Sequence, residues 1–320
     1  MAHREKIATV FGGTGFLGKQ VVHRLAARGV TVKIATRVPE RADFLKTCGA
    51  VGQVVPVQCD YSDARSVHQA IKGSDFVVNC IGILVERKKR ATFEYVHADL
   101  PAIIAKACTD EGVSRFTHLS ALGCDTGVSK YAQTKYDGEN AVRANFPDAV
   151  ILRSSVMFGQ DDDFFNKFAE LSRFMPFLPL IGGGKTRFQP VYVGDVADVV
   201  LKGLFAGTAE FLGKTYQLGG PDVVTFREIY EKMFKYTGRS KKLISVPFCI
   251  AKFEAAFLKF WPNPILTPDQ VDTLKTDNVV DDKALGIDVF EIHPKSMDLI
   301  LPGYLETYKS GGRFAVEQSA

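Results

Sequence analysis

Residues Ile7-Ala8-Thr9-Val10-Phe11-Gly12-Gly13-Thr14-Gly15-Phe16-Leu17-Gly18 pass from an apolar, β-branched run, through closely spaced glycines, into a helical pattern. In a strand–loop–helix unit each glycine has a separate task. Gly12 permits the tight turn, Gly15 lets the backbone approach a pyrophosphate, and Gly18 lets the helix pack on the strand. The new helix then offers free N–H groups and the positive end of its dipole to phosphates. On this reading Gly12, Thr14, Gly15, Phe16, Leu17 and Gly18 form the phosphate-binding part of a dinucleotide site.

The pattern outward from this loop supports a fold built to match. Strand-like runs at residues 6–11, 31–36, 54–57, 75–80, 115–119 and 149–153 alternate with helical patterns at 16–28, 39–48, 64–71, 92–111 and 129–146. Such alternation predicts right-handed parallel crossovers and a doubly wound α/β Rossmann sheet. The runs Phe76-Val77-Val78 and Val150-Ile151-Leu152 lack polar alternation, as expected of strands covered on both faces. Beyond residue 155 prolines and glycines break the rhythm. The expected organisation is a dinucleotide-binding core at 1–155, followed by a mixed segment at 156–320. Within that segment a last crossover unit, at about 186–218, returns to the sheet with a strand at 189–193 and a helix at 195–205. The rest predicts a smaller, mostly helical C-terminal lobe that closes a cleft at the carboxyl ends of the strands.

Composition narrows the class. The 320 residues are 46% hydrophobic and 24% charged, with a formal charge of +4 and a pI near 8.6. These are values of a globular protein, too weakly basic to argue for nucleic acid, and no aromatic-interleaved basic stretch is present. No apolar run reaches the roughly 18 residues of a spanning helix. The N-terminus has neither a secretory signal nor the composition of a transit peptide, so the chain reads as bacterial or as an already processed form. Cys48, Cys59, Cys80, Cys108, Cys124 and Cys249 make no C-x-x-C pair, and the histidines are scattered. Reduced thiols and no metal site are expected.

Specificity and chemistry are read from three further places. At the end of the second strand, where NAD-binding chains usually carry an acid, stands Thr36-Arg37; a guanidinium there pairs with a ribose 2′-phosphate and favours NADPH. Asp60 is placed to meet the adenine amino group, with Tyr61 flanking the ring, and Ile81-Gly82 after the fourth strand lets the cofactor pass over the sheet edge. Tyr131 and Lys135 lie at i and i+4 on one helical face, where the lysine lowers the phenol pKa and binds the nicotinamide ribose, with Ser120 orienting a carbonyl. An exposed helix face is the competing reading of that pair.

These motifs, with Asn79-Cys80-Ile81-Gly82 and Val193-Gly194-Asp195-Val196-Ala197, resemble the extended and atypical short-chain dehydrogenase/reductase superfamily over about residues 5–240. Within it, the phrases at 8–18, Phe116-Thr117-His118-Leu119-Ser120, Phe146-Pro147-Asp148-Ala149 and residues 155–162 resemble the NADPH-binding accessory subunits of respiratory complex I, in their alphaproteobacterial form. The resemblance implies a tightly held NADPH, a role in assembly and stability rather than turnover, other subunits of a membrane respiratory complex as partners, and a peripheral place on the cytoplasmic face of the inner membrane (the matrix side in a processed eukaryotic form). The short segment 121–130 between Ser120 and Tyr131 departs from extended members, and leaves Tyr131, Lys135 and Ser120 as vestigial catalytic groups that hold cofactor. The alternative is a soluble NADP-dependent reductase or epimerase acting on a hydroxyl/carbonyl substrate. A regulatory NADP sensor is disfavoured by the presence of both Tyr131 and Lys135.

Two surface features remain. Ile250, Phe253, Phe257, Phe260 and Trp261 share one face of a helix, with Lys252 and Lys259 opposite; that face either buries against the sheet domain or docks on a partner or membrane. The basic runs Glu86-Arg87-Lys88-Lys89-Arg90 and 235–242 are solvated loops or contacts for anionic lipid headgroups.

Overall fold

The computed structural model describes residues 5–87, 91–207, 209–258, 266–309 and 311–312. Lys88, Lys89 and Arg90 of the first basic run, and Lys259, Phe260 and Trp261 of the apolar helix, lie outside them.

The first half alternates as its sequence predicts: β1 (Ile7–Phe11), α1 (Phe16–Ala27), β2 (Thr31–Thr36), β3 (Val54–Gln58), α2 (Ala64–Ile71), β4 (Phe76–Asn79), α3 (Leu100–Asp110), β5 (Arg115–Ala121), α4 (Lys130–Asn145) and β6 (Val150–Ser154). The second half contributes β7 (Met157–Phe158), α5 (Phe165–Phe174), β8 (Phe177–Ile181), β9 (Arg187–Phe188), β10 (Val191–Tyr192), α6 (Val193–Phe205), β11 (Thr215–Leu218), β12 (Val224–Thr225), α7 (Phe226–Thr237), β13 (Lys242–Val246), α8 (Phe248–Leu258) and α9 (Pro268–Thr273). Seven strands form one sheet in the order β11-β6-β5-β4-β1-β2-β3, every pairing parallel. The doubly wound α/β class is thus observed.

Adjacent residues of a strand feed opposite layers, which explains the unbroken apolar runs. Val10 and Val78 pack with α1 and α6, whereas Phe11 and Val77 pack with α2 and α3. Arg24 Nε donates to Asp198 at 2.7 Å and ties α1 to α6. The sheet edges are treated differently. On β3, Cys59 N–H donates inward to Thr36, so the even-numbered amides of β3 face outward, and there Pro56 has none to offer. At the other edge Gln217 N–H of β11 donates to Leu285 O at 2.9 Å, so a C-terminal segment covers that strand.

Three local expectations are corrected. Residues 39–48 fold as 3₁₀ turns. The strand expected at 189–193 shrinks to Val191–Tyr192, which pairs with β7 outside the main sheet; β11 is the seventh sheet strand. The long helix expected at 92–111 is interrupted by a π-turn at Tyr95–Asp99, with Leu100 N–H reaching Tyr95 O. Pro101 is the cause. It has no N–H for the carbonyl of His97 four residues back, and its ring would clash there, so the backbone widens.

The C-terminal lobe has its own aromatic core, in which Phe165, Phe226, Tyr230 and Leu305 are buried. Over residues 248–257 of α8 the buried positions are Ala251 and Ala255; Ile250, Phe253 and Phe257 face outward, the last two 66% and 65% exposed. Burial of that face against the sheet domain is thereby overturned for these three residues.

Candidate cofactor site

The glycine loop is shaped by contacts that no side chain could satisfy. Gly12 has φ +74°, and a Cβ on Gly18 would stand 2.1 Å from Gly12 O. A Cβ on Gly15 meets only Gly12 O, at 3.2 Å, so the space in front of Gly15 is open. Thr14 and Gly15 are exposed, whereas Leu17 and Gly18 are buried and Phe16 partly so. Gly15 N-caps α1 without a side-chain acceptor, and no acid lies in the first turn. The loop therefore offers uncapped amides and a positive helix end beside open space, a cradle that fits a pyrophosphate.

The carboxyl ends of β2 and β3 are open. Arg37 is exposed, its guanidinium 5.7 Å from the centroid of the Tyr61 ring. Tyr61 is fixed by its hydroxyl, which donates to Ala35 O at 2.7 Å, and by a tilted contact with the Phe11 ring, centroids 6.2 Å apart. Burial pushes its phenol up to about 12, so it stays protonated and its ring serves as a platform. Asp60, exposed after β3, accepts from the amide and hydroxyl of Ser62 at 2.9 and 2.7 Å. Arg37, Asp60 and Tyr61 thus gather at the carboxyl ends of β2 and β3.

The loop after β4 runs between the glycine loop and α4. A Cβ on Gly12 would lie 3.1 Å from Ile81 N, and one on Gly82 would lie 3.4 Å from Lys135 Nζ. Lys135 is only 3% exposed, and its ammonium donates to Leu119 O at 3.2 Å. Burial lowers its pKa to about 8 against the opposing pull of Cys124, Glu139 and Cys80. Tyr131 departs from expectation. Its phenol is pushed up rather than down, by burial first and then by Cys124 and Asp269. Ser120 lies at the end of β5 with its hydroxyl 3.7 Å from Cys124 Sγ.

Beneath these groups lies an ionic network that the sequence did not signal. Cys124 donates to Glu139 Oε1 at 3.1 Å, and Arg153 grips Glu139 with Nε at 2.8 Å and Nη2 at 2.9 Å. Arg143 adds a contact at 3.2 Å, and Asp125 takes the remaining arm of Arg153. Burial raises the Glu139 carboxyl, but the bonds from Arg153 and its neighbours more than offset this and hold it below the usual range. Glu139 lies two turns beyond Tyr131 on α4, but its partner Arg153 is on β6, so no local spacing exposes the pair.

A second unsignalled feature joins the C-terminal segment to the start of α4. Asp269 of α9 accepts from Lys130 N at 2.8 Å and Tyr131 N at 3.3 Å, while Ser129 caps Ala132 N. Asn278, further along, accepts from Ser155 Oγ and Val156 N and donates to Leu122 O. Residues 267–280 therefore bind the segment between Ser120 and Tyr131 from above, and every amide of the first turn of α4 through Ala132 has an acceptor from the chain itself.

A family model described as NAD(P)H-binding matches residues 12–169, and one described as RmlD substrate binding domain matches 126–254. Among solved structures, a Citrobacter triphenylmethane reductase superposes with a TM-score of 0.73 over 94% of this chain and 99% of that one, at 18% identity. Fold and domain models together define an NAD(P)-binding protein of the extended short-chain dehydrogenase/reductase type, with a nicotinamide cofactor. The chain is 35% identical, over 96% of its length, to NADH dehydrogenase (ubiquinone) 1 alpha subcomplex subunit 9, mitochondrial, of Arabidopsis thaliana, covering 79% of that protein. It is 31% identical, again over 96% of its length, to the NADH-ubiquinone oxidoreductase 40 kDa subunit, mitochondrial, of Neurospora crassa, covering 80% of it. The chain belongs to the family of these two respiratory subunits. Among the described residues no helix is long and apolar enough to cross a membrane.

Proposed function

We propose that this protein is an accessory subunit of respiratory complex I that holds NADPH for assembly and stability without turning over a substrate. Its partners are other subunits of the complex, as the names of its relatives suggest. Gly12, Thr14, Gly15, Phe16, Leu17 and Gly18 hold the pyrophosphate, Arg37 the 2′-phosphate, Asp60 and Tyr61 the adenine, and Ile81, Gly82, Ser120, Tyr131 and Lys135 the nicotinamide half. The observation that carries the reading is the strap at 267–280. Asp269 fills the first turn of α4 beside Tyr131, where a substrate would need room. A raised phenol pKa and a Lys135 ammonium engaged with Leu119 O also suit retention better than proton transfer.

The reading places the chain on the cytoplasmic face of a bacterial inner membrane, or the matrix side in a eukaryotic form. Anionic lipid headgroups are included as partners because Ile250, Phe253 and Phe257 are exposed on α8 and the chain carries a basic run at 235–242, a combination suited to a lipid surface. Mild detergent extraction should recover the chain in a large membrane oxidoreductase on a native gel. Tyr131→Phe should leave bound NADPH and quinone-reductase activity near wild type, since at most one hydrogen bond worth about 1 kcal/mol is lost. Recovery only as a free monomer or dimer, or an isolated-chain activity reduced about 10²–10⁴-fold by Tyr131→Phe, would replace this reading with a soluble NADP-dependent reductase or epimerase.

A further inference from the structure

His97 has no assigned role above, yet it stands where the cofactor path meets α4. Pro101 withholds an amide from His97 O, and the resulting π-turn lets α4 come so close that a Cβ on Gly138 would lie 1.8 Å from that oxygen. The side chain, 1% exposed, stacks on Phe93 and meets the Tyr131 ring edge-on. Its two nitrogens have distinct partners. Ile83 N–H donates to Nε2 at 3.1 Å, which leaves the proton on Nδ1. Nδ1 then donates to Thr134 Oγ1 at 3.2 Å, and Thr134 in turn donates to Tyr131 O at 3.1 Å.

One neutral imidazole therefore joins the loop after β4 to the helix that carries Tyr131 and Lys135. Burial first, then the nearby Lys135 ammonium and His118 ring, depress its pKa to about 2, so the ring stays neutral throughout the physiological range. We propose that His97 is a positioning residue for the nicotinamide half of the cofactor, holding Ile81–Gly82 at a fixed height over Lys135. The role rests on the NADPH assignment made above, and it concerns only one half of that ligand.

Calorimetry of the full chain with NADPH and with 2′,5′-ADP, which lacks the nicotinamide half, separates positioning from general structural support. His97→Ala should weaken NADPH about tenfold, the value of one or two net hydrogen bonds, and leave 2′,5′-ADP within about twofold. Thr134→Val, which removes only the acceptor for Nδ1 and the donor to Tyr131 O, should show the same selective loss at smaller size, and it decides the matter if His97→Ala does not fold. Equal loss of both nucleotides, or loss of neither, overturns the proposal. The NADH and ADP pair is measured alongside. Wild-type preference for NADH would defeat the NADPH assignment, while the split between NADH and ADP in the variants would still judge His97.

Discussion

The two ends of the proposed cofactor cleft are built in opposite ways. At the adenosine end Arg37, Asp60 and Tyr61 are exposed or half-exposed and held by contacts within a few residues or to the neighbouring strand. At the nicotinamide end Lys135, Ser120, His97 and Glu139 are buried and cross-linked among β4, β5, β6, α4 and the C-terminal lobe. An open end selects its ligand by what it offers. A closed end restrains a ligand by what it prevents from moving. On the proposed assignment, a dinucleotide gripped between them is a structural element in its own right, since occupancy stabilises the folded chain by mass action.

The largest test removes the join between the two ends. Gly15→Val puts a branched side chain into the open space over the loop, and cofactor retention should vanish in bound-nucleotide quantification while the apo fold persists. Gly18 would be a poorer choice, because its Cβ strikes backbone and confuses binding with folding.

Next in size, Glu139→Leu takes the fully buried carboxylate from the Arg153 guanidinium and leaves it paired with Asp125, and should cost about 3 kcal/mol in denaturant unfolding. A loss below about 1 kcal/mol would mean that the closed end is not rigid. The open end should respond through selectivity instead. Arg37→Glu is expected to reduce NADPH affinity about 10–100-fold relative to NADH, with unfolding unchanged; unaltered discrimination would remove the arginine from the argument.

The smallest effect is one of pH. On the proposed assignment Lys135 would bind a ribose hydroxyl best as the ammonium, and its free-state pKa is lowered to about 8. Binding raises that pKa, so the gain is complete below about 8 and is lost as pH rises through the bound value. NADPH affinity should decline by severalfold up to about tenfold above pH 8 in the wild type and stay flat in Lys135→Met. A profile that is the same in both would show that Lys135 does not touch the cofactor.

The contrast between the ends also explains what the sequence made legible. The glycine loop, Arg37 and the strand–helix alternation are local signals, and the sheet follows from them. The Asp269 contact to α4 joins residues on opposite sides of the chain map, and Arg153 looks like an ordinary polar break in a strand; neither has a local signature. The strand expected at 189–193 is short because only Val191 and Tyr192 pair, with β7 and outside the main sheet, and Val193 already opens α6. The π-turn was readable after all. Pro101 inside a long helical pattern announces a fault at the preceding turn.

Finally, the treatment of the sheet's margins limits how this protein meets others. Pro56 interrupts the outward row of amides on β3, and the segment through Leu285 occupies β11. Neither margin is a ready template for an incoming strand, which guards a chain awaiting its assembly against edge-to-edge polymerisation. At these two margins an incoming chain meets side chains and a covering segment instead of a free row of backbone amides, so recognition there turns on side-chain fit rather than backbone zippering.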